Sequence, residues 1–132
     1  MTKLRARIGY SAVAFVTELL PKYFYEIVPD GVLLSMLTLQ VTEHTEDQFN
    51  SLHAQGLRAA ESFARAGADV IIMGGAPTNI THGEEQLNKE LKELSQKYGV
   101  PVSSSSVAQG NALKAVGAKK VGTINPAVPR KI

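Results

Sequence analysis

The residues of this chain best suited to chemistry follow an apolar run that ends at two glycines. Val70–Met73 leads into Gly74 and Gly75, and a short polar segment with Thr78 and Asn79 comes next. Because glycine has no side chain to shield the backbone, its N–H group can approach a ligand closely. Such a loop suits a compact anion, either a carboxylate or a phosphate. The simpler interpretation is that the two glycines only turn the chain.

Further polar residues are expected to lie at the same edge of a sheet. In a doubly wound sheet, ligands bind outside the carboxyl ends of the strands, where the strand order reverses. We expect that crevice between the first and third strands, with Tyr10 and Ser11 beside the glycine loop. Ser105 and Ser106, after the fourth strand, and Asn125, after the fifth, would close its far side. The serines have a simpler interpretation as a polar strand end with a helix cap.

The elements that must position these residues alternate along the chain. Five apolar segments are predicted strands: Arg7–Tyr10, Gly31–Leu39, Ala68–Met73, Pro101–Ser103 and Val121–Ile124. Helical segments separate them, and this alternation predicts a parallel sheet covered on both faces, with right-handed crossovers. We therefore predict a single α/β domain over residues 1–132. Its fold is a three-layer, doubly wound parallel sheet of flavodoxin-like order 2-1-3-4-5.

Capping signals mark the predicted helix starts. The first helix can open at Thr17-Glu18, and the later three match the S/T-x-x-E/Q capping box at Thr45–Gln48, Thr81–Glu84 and Ser106–Gln109. The first helix carries one apolar face, formed by Leu19, Leu20, Tyr23, Phe24 and Ile27. The N-termini near Thr81 and Ser106 would bring unpaired N–H groups and partial positive charge to the crevice.

Composition excludes several classes of protein. The chain is 44% hydrophobic and 20% charged, with a net charge of +2, so it has no electrostatic footprint for nucleic acid. It has no cysteine, which excludes a disulfide framework, a thiolate metal site and a thiol nucleophile. No apolar run approaches 18 residues. We expect a soluble, cytoplasmic protein that does not contact membranes.

Other ligand signatures are missing. Neither G-x-x-x-x-G-K-[ST] nor a G-x-G-x-x-G after the first strand occurs. A response regulator needs an aspartate at the carboxyl end of the third strand, whereas Asp69 lies at its start. A flavin or nucleotide site is disfavoured because few aromatic residues lie near the strand ends. We expect no metal and no cofactor.

Two parts of the sequence resemble a known group of enzymes. They are "RIGYSAVAFVTELLPKYFYEIVPDGVLLSMLTL" and "GADVIIMGGAPTN…HG…LNKELKELSQKYGVPVSSSSVAQGNALKAVGAKKVG". The chain is similar to the first domain of the arylmalonate decarboxylase and maleate cis–trans isomerase branch of the aspartate/glutamate racemase superfamily. The resemblance runs from about Arg7 to Ile124, and "PVSSSSVAQGNALKAVGAKKV" with the glycine loop is its distinctive part.

The resemblance implies two similar α/β domains with an active site between them. The racemases and isomerases of this superfamily use one cysteine per domain, the first directly after the third strand. The decarboxylases have glycine there and keep only the second cysteine, and they hold a substrate carboxylate with backbone N–H and hydroxyl donors. That position falls here at Gly74 or Gly75, which matches the decarboxylases. The hydroxyl donors that follow it are replaced by Gly75 and Ala76, so Thr78 and Asn79 would substitute for them.

The function implied is that of an isomerase- or decarboxylase-like domain. It would bind a small dicarboxylic acid and support proton transfer next to a carboxylate, with no cofactor. The alternative is a non-catalytic carboxylate- or phosphate-binding module, or an assembly subunit. A lone chain lacks both catalytic cysteines, so we expect either a fragment of a longer protein or a homo-oligomer that rebuilds the two-domain cleft.

Overall fold

The computed structural model describes residues 3–13, 19–41, 45–75 and 83–122. Within these ranges the strands are β1 (Ala6–Ala12), β2 (Val32–Thr38), β3 (Val70–Met73) and β4 (Val102–Ser104). The helices are α1 (Leu19–Ile27), α2 (Glu46–Arg65), α3 (Glu84–Tyr98) and α4 (Ser105–Ala115). All strand pairs are parallel, and their order is β2-β1-β3-β4. The predicted α/β fold and the strand order 2-1-3-4 are confirmed.

The strand register brings three strand ends into one row. Ser11 of β1 pairs with Met73 of β3, and Met73 pairs with Ser104 of β4. The residues that follow these strands therefore emerge side by side at the carboxyl edge of the sheet. This is the edge at which a doubly wound sheet binds its ligands.

One face of the sheet carries the hydrophobic core. Apolar side chains of α2 and α3 pack on it, because both helices present buried residues at helical spacing. The core consists of Leu39, Leu52, Ala59, Ala60, Phe63, Ala68, Ile71, Met73, Leu87, Leu91, Leu94 and Val102. His53 Nε2 lies 3.0 Å from Glu90 Oε1, which links α2 to α3 at the margin of this core.

The opposite face of the sheet is covered less completely. Side chains alternate along a strand. Gly9 faces Phe63 of α2, so Ile8 and Tyr10 point to the other side, where α1 lies. No residue of α1 is buried. The apolar face predicted for α1 does form, since all five of its residues line one groove with Ile8 and Tyr10.

Of the three predicted capping boxes, one marks a helix start as expected. Thr45 is the N-cap of α2, and its side chain accepts a hydrogen bond from the Gln48 N–H at 3.3 Å. The start predicted at Thr81 was wrong, because Gly83 is the N-cap of α3 and its left-handed φ of 86° turns the chain into the helix. Thr81 itself lies outside the described residues.

The start predicted at Ser106 was also wrong. Ser104 is the N-cap of α4, with an extended backbone, and its side chain accepts a hydrogen bond from the Val107 N–H at 3.2 Å. The reason is that pairing with Met73 keeps Ser104 in β4, so the chain can leave the strand and enter the helix at once.

The ends of two predicted elements fall outside the described ranges. Thr17-Glu18, the predicted opening of α1, lies there, as do Thr123 and Ile124 of the predicted fifth strand. Val121 and Gly122 are described and are not in a strand. Among the helices of the described ranges, none is both long and apolar enough to span a bilayer.

Candidate functional site

Ser11 and Gly74 join the ends of the two strands that flank the predicted crevice. The Gly74 N–H donates to the Ser11 carbonyl oxygen at 2.9 Å and to Ser11 Oγ at 3.2 Å. Ser11 is only 2% exposed, so its hydroxyl belongs to the interior. The Gly74 N–H, which the sequence suggested as a ligand donor, is therefore held by the protein itself in this structure.

Tyr10 occupies the space above Gly74. A β-carbon on residue 74 would lie 2.8 Å from the Tyr10 hydroxyl oxygen and 2.9 Å from Tyr10 Cζ, and it would collide with the Ser11 carbonyl oxygen. Only glycine fits at this position. The bare backbone after β3 thus allows the close approach of Tyr10 and Ser11, two groups of the same chain.

Burial raises the pKa of the Tyr10 phenol above its ordinary value. The cause is the loss of water around a group that would carry negative charge once ionised. The phenol is therefore neutral at physiological pH and retains its proton. A neutral phenol at the carboxyl edge can donate a hydrogen bond to an oxyanion.

The remaining part of the glycine loop is described only at its start. Gly75 is half-buried and has a φ of 94°, a left-handed conformation that favours glycine. Thr78 and Asn79, the predicted substitutes for the missing hydroxyl donors, lie outside the described residues. Asn125 lies outside them as well.

The last three serines of the run 103–106, which begins in β4 and continues into α4, have different environments. Ser104 is fully buried as the N-cap of α4, and Ser105 is the first residue of that helix. Ser106 Oγ is buried and has no hydrogen-bond partner. A buried hydroxyl without a partner is uncommon, because desolvation without a hydrogen bond is unfavourable.

Ser106 lines a cleft of about 420 Å³ between the first turns of α3 and nearly the whole length of α4. Its other lining residues are Glu84, Leu87, Asn88, Val107, Gly110, Asn111 and Lys114. Both helices begin at the carboxyl edge of the sheet, so the end of the cleft that Glu84 and Ser106 line is the end nearer to the strands. The structure thus brings together Tyr10, Ser11 and Gly74. It places Ser106 in a separate cleft, which none of these three residues lines.

Sequence reasoning missed the role of Ser104 and the contact between Tyr10 and Gly74. The signal for Ser104 was present, since any of the four consecutive serines could cap a helix. In the described ranges, no three His, Asp or Glu side chains are grouped so that they could hold a metal ion.

This chain is similar to known proteins in its three-dimensional structure, and no match was found by sequence. No protein-family model matches the chain, and no curated protein sequence does so either. Several solved structures share its fold. The maleate isomerase of Pseudomonas putida S16 with maleate superposes with a TM-score of 0.69 at 16% identity, over 85% of this chain and 49% of that protein.

Two further structures give the same result. The maleate cis–trans isomerase of Nocardia farcinica bound to TRIS has a TM-score of 0.71 at 16% identity, covering 86% of this chain and 49% of that one. A doubly substituted arylmalonate decarboxylase in its liganded form has a TM-score of 0.71 at 19% identity, covering 86% and 47%. The chain spans about half the length of these proteins. The fold expected from the resemblance is confirmed.

Proposed function

We propose that this chain is an isomerase- or decarboxylase-type domain that binds a small dicarboxylic acid and supports proton transfer next to one carboxylate. The observation that carries the proposal is the fold shared with maleate isomerases and an arylmalonate decarboxylase. Both kinds of enzyme are named for a dicarboxylate.

The ligand would be held at the carboxyl edge of the sheet. Tyr10 is the first candidate donor, because its phenol is neutral at physiological pH and the absence of a side chain at Gly74 lets the Tyr10 hydroxyl lie close to the end of β3. A hydrogen bond from this phenol to a carboxylate oxygen would stabilise the negative charge that spreads onto that oxygen when a proton leaves the neighbouring carbon.

Ser106 is the second candidate donor. Its buried hydroxyl has no partner among the described residues, so a ligand oxygen in the cleft that Ser106 lines could accept a hydrogen bond from it without displacing an internal one. Thr78, Asn79, Ser105, Gly75 and Asn125 remain predicted contributors at the same edge. In this proposal Gly74 and Ser11 do not contact the ligand. Their hydrogen bonds to each other hold the ends of β1 and β3 together beneath it.

A non-catalytic carboxylate-binding module is the second candidate. The observation that favours it is that the sequence has no cysteine, the residue to which the resemblance to the racemase superfamily assigns proton transfer. The two candidates differ in turnover. An enzyme exchanges the proton next to the substrate carboxylate for deuterium from the solvent, which proton NMR detects, whereas a binding module leaves that signal unchanged.

Binding is tested by thermal unfolding against malonate, maleate, phenylmalonate, aspartate and phosphate at fixed ionic strength. A ligand present at 100 times its dissociation constant adds about 2.7 kcal/mol to the free energy of unfolding. We expect a selective increase with one dicarboxylate, lost in Tyr10→Phe and retained in Tyr23→Phe, whose side chain is 54% exposed on α1. Equal shifts with all acids, or none with any, would contradict the proposal.

A further inference from the structure

Strand β2 forms an open edge of the sheet. The strand order is β2-β1-β3-β4, so β2 pairs with β1 on one side and with no described strand on the other. An edge strand presents a row of unpaired N–H and C=O groups, which can pair with an extended segment of another chain. Native proteins therefore protect such edges, most often with charged residues, proline or a bulge.

The sequence of β2 favours such pairing. Its seven residues, VLLSMLT, include no charged residue, no proline and no glycine. Segments of six or seven residues with this composition are typical of strands that aggregate. Leu33 and Leu37 are each 42% exposed, so apolar side chains accompany the open backbone. The strand itself therefore carries none of the residues that usually protect an edge.

The backbone groups that face the open edge can be identified from the pairing with β1. Leu39, which follows β2, donates its N–H to the Ala12 carbonyl oxygen at 2.8 Å, so the backbone of residue 39 faces β1. Successive residues of a strand direct their N–H and C=O groups to opposite sides. The backbone groups of the even-numbered residues between 32 and 40 therefore point to the open edge.

Tyr25 of α1 covers one end of this edge. Its hydroxyl oxygen accepts a hydrogen bond from the Leu34 N–H at 3.0 Å. The Val32 N–H, two residues earlier, donates to the Pro29 carbonyl oxygen at 3.3 Å. A further strand would lie about 4.8 Å from β2 in the direction of these N–H groups. The Tyr25 phenol therefore occupies the place that such a strand would take.

Gln55 of α2 covers the other end of the edge. Its Oε1 accepts a hydrogen bond from the Gln40 N–H at 2.8 Å, and its Nε2 donates to the Gln40 carbonyl oxygen at 3.1 Å. A carboxamide has the donor and the acceptor of a peptide group, so Gln55 satisfies both backbone groups of Gln40 as a neighbouring strand would. Its Nε2 also donates to Ser51 Oγ at 3.3 Å, which helps to orient the side chain.

We propose that Tyr25 and Gln55 protect the edge of β2 against strand addition by a second copy of this chain. Between the two covered ends, the N–H groups of Met36 and Thr38 point to the open edge without a partner among the described residues. Two free N–H groups are too few for stable pairing, because even a hairpin of two whole strands is marginal in water. The proposal does not depend on the ligand of the proposed function.

The hydrogen bond of Tyr25 is tested by amide hydrogen exchange, followed by NMR and corrected for the intrinsic rate of each residue. In the wild-type protein, the Leu34 and Gln40 amides should exchange more slowly than those of Met36 and Thr38, although all four face the same edge. Tyr25→Phe should speed exchange at Leu34 by about tenfold, which corresponds to the loss of one hydrogen bond, and should leave Gln40 unchanged. Equal exchange at Leu34 in the two proteins would overturn the role of Tyr25.

Protection of the edge is tested by removing both side chains. Tyr25→Ala combined with Gln55→Ala should give larger species than the wild-type protein in sedimentation velocity at the same concentration. It should also bind thioflavin T, because strand addition leads to cross-β stacking. The matched control is Tyr23→Ala combined with Gln96→Ala, at exposed residues of α1 and α3, and it should sediment as the wild-type protein does. None of the four side chains is buried, so circular dichroism should show the native fold in both double variants.

A lysine on the strand distinguishes edge pairing from a general loss of solubility. Thr38 is exposed on β2, and a charge at an edge opposes strand addition. Thr38→Lys, added to the variant that lacks both protecting side chains, should restore the wild-type sedimentation. Gln109→Lys adds the same charge at an exposed residue of α4 and should not restore it. Wild-type sedimentation of the unprotected variant would overturn the proposal, as would equal rescue by the two lysines.

Discussion

The Tyr10 hydroxyl oxygen lies 2.8 Å from the point that a β-carbon on residue 74 would occupy. Tyr10 belongs to β1 and Gly74 directly follows β3, so this contact joins the two central strands at the carboxyl edge. The lack of a side chain at Gly74 is therefore required for the packing of Tyr10 and Ser11, whether or not a ligand binds there.

Replacement of Gly74 by alanine should destabilise the protein. The added methyl group would collide with the Ser11 carbonyl oxygen and press on Tyr10, and overpacking of this kind costs about 1–3 kcal/mol. Gly110→Ala is the matched control, because nothing lies within 4 Å of its added β-carbon and alanine favours a helix. Urea denaturation should show a loss of stability for Gly74→Ala and a small gain for Gly110→Ala. The reverse order would refute the packing role of Gly74.

Tyr10 should lose its phenol proton at a pH above the ordinary tyrosine pKa of 10.0, because burial raises its pKa. The unfolded chain then releases the phenol proton at a lower pH than the folded chain does. The contribution of this group to stability is complete below pH 10.0 and is lost as the pH rises through the folded pKa.

Absorbance of tyrosinate during an alkaline titration measures this shift. Tyr10→Phe should remove the part of the absorbance change that appears at a pH above the ordinary tyrosine pKa. Tyr23→Phe should leave that part in place. If Tyr10→Phe removed an early component instead, the phenol would not be buried as described.

Alanine at Gly9 should destabilise the core. Its β-carbon would lie 2.7 Å from Phe63 Cβ and would overlap the ring, so the cost is about 1–3 kcal/mol. Phe63→Leu should relieve part of that cost, so that the double variant loses less stability than the sum of the two single variants. Gly56→Ala is the control. The atom nearest to the added β-carbon at residue 56 is the terminal methyl carbon of Met73, at 3.3 Å, and this flexible side chain can move. Strict additivity between Gly9→Ala and Phe63→Leu would show that the two residues do not meet.

The serines at the start of α4 should differ in their contributions to stability. Ser104→Ala removes the cap from the Val107 N–H and should cost about 1 kcal/mol. Ser106→Ala removes a buried hydroxyl without a partner, so the free energy of unfolding should stay unchanged or rise. Thermal denaturation of both variants gives the comparison. A larger loss of stability for Ser106→Ala than for Ser104→Ala would indicate that Ser106 caps the helix, as the sequence predicted.

Much of the fold could be predicted from the sequence, because alternating strand and helix patterns leave few topologies. The cap at Thr45 was predicted correctly, since the capping box and the apolar period after it agree. The cap of α4 was not, because four identical serines can all cap a helix and only the pairing with Met73 decides between them. The spacing of residues along the helix segment does not predict which serine pairs with Met73.

The candidate site could be predicted only in part. The strand ends identified the edge at which Tyr10, Ser11 and Gly74 meet. Whether the Gly74 N–H faces a ligand or another strand depends on the register between β1 and β3, and these strands are far apart in sequence. The polar side chains were therefore predicted as neighbours, and their hydrogen bonds were not.

The position of β1 in the sheet also has a consequence for how the chain folds. Among the described strands it comes first in the sequence, yet it pairs on both sides, with β2 and with β3. Arg7 donates its N–H to Asp69, so its partner on β3's side is synthesised 62 residues after it. Contacts of such long sequence separation slow folding. Until Met73 has been added, one edge of β1 has no partner in its own chain and can pair with another nascent chain.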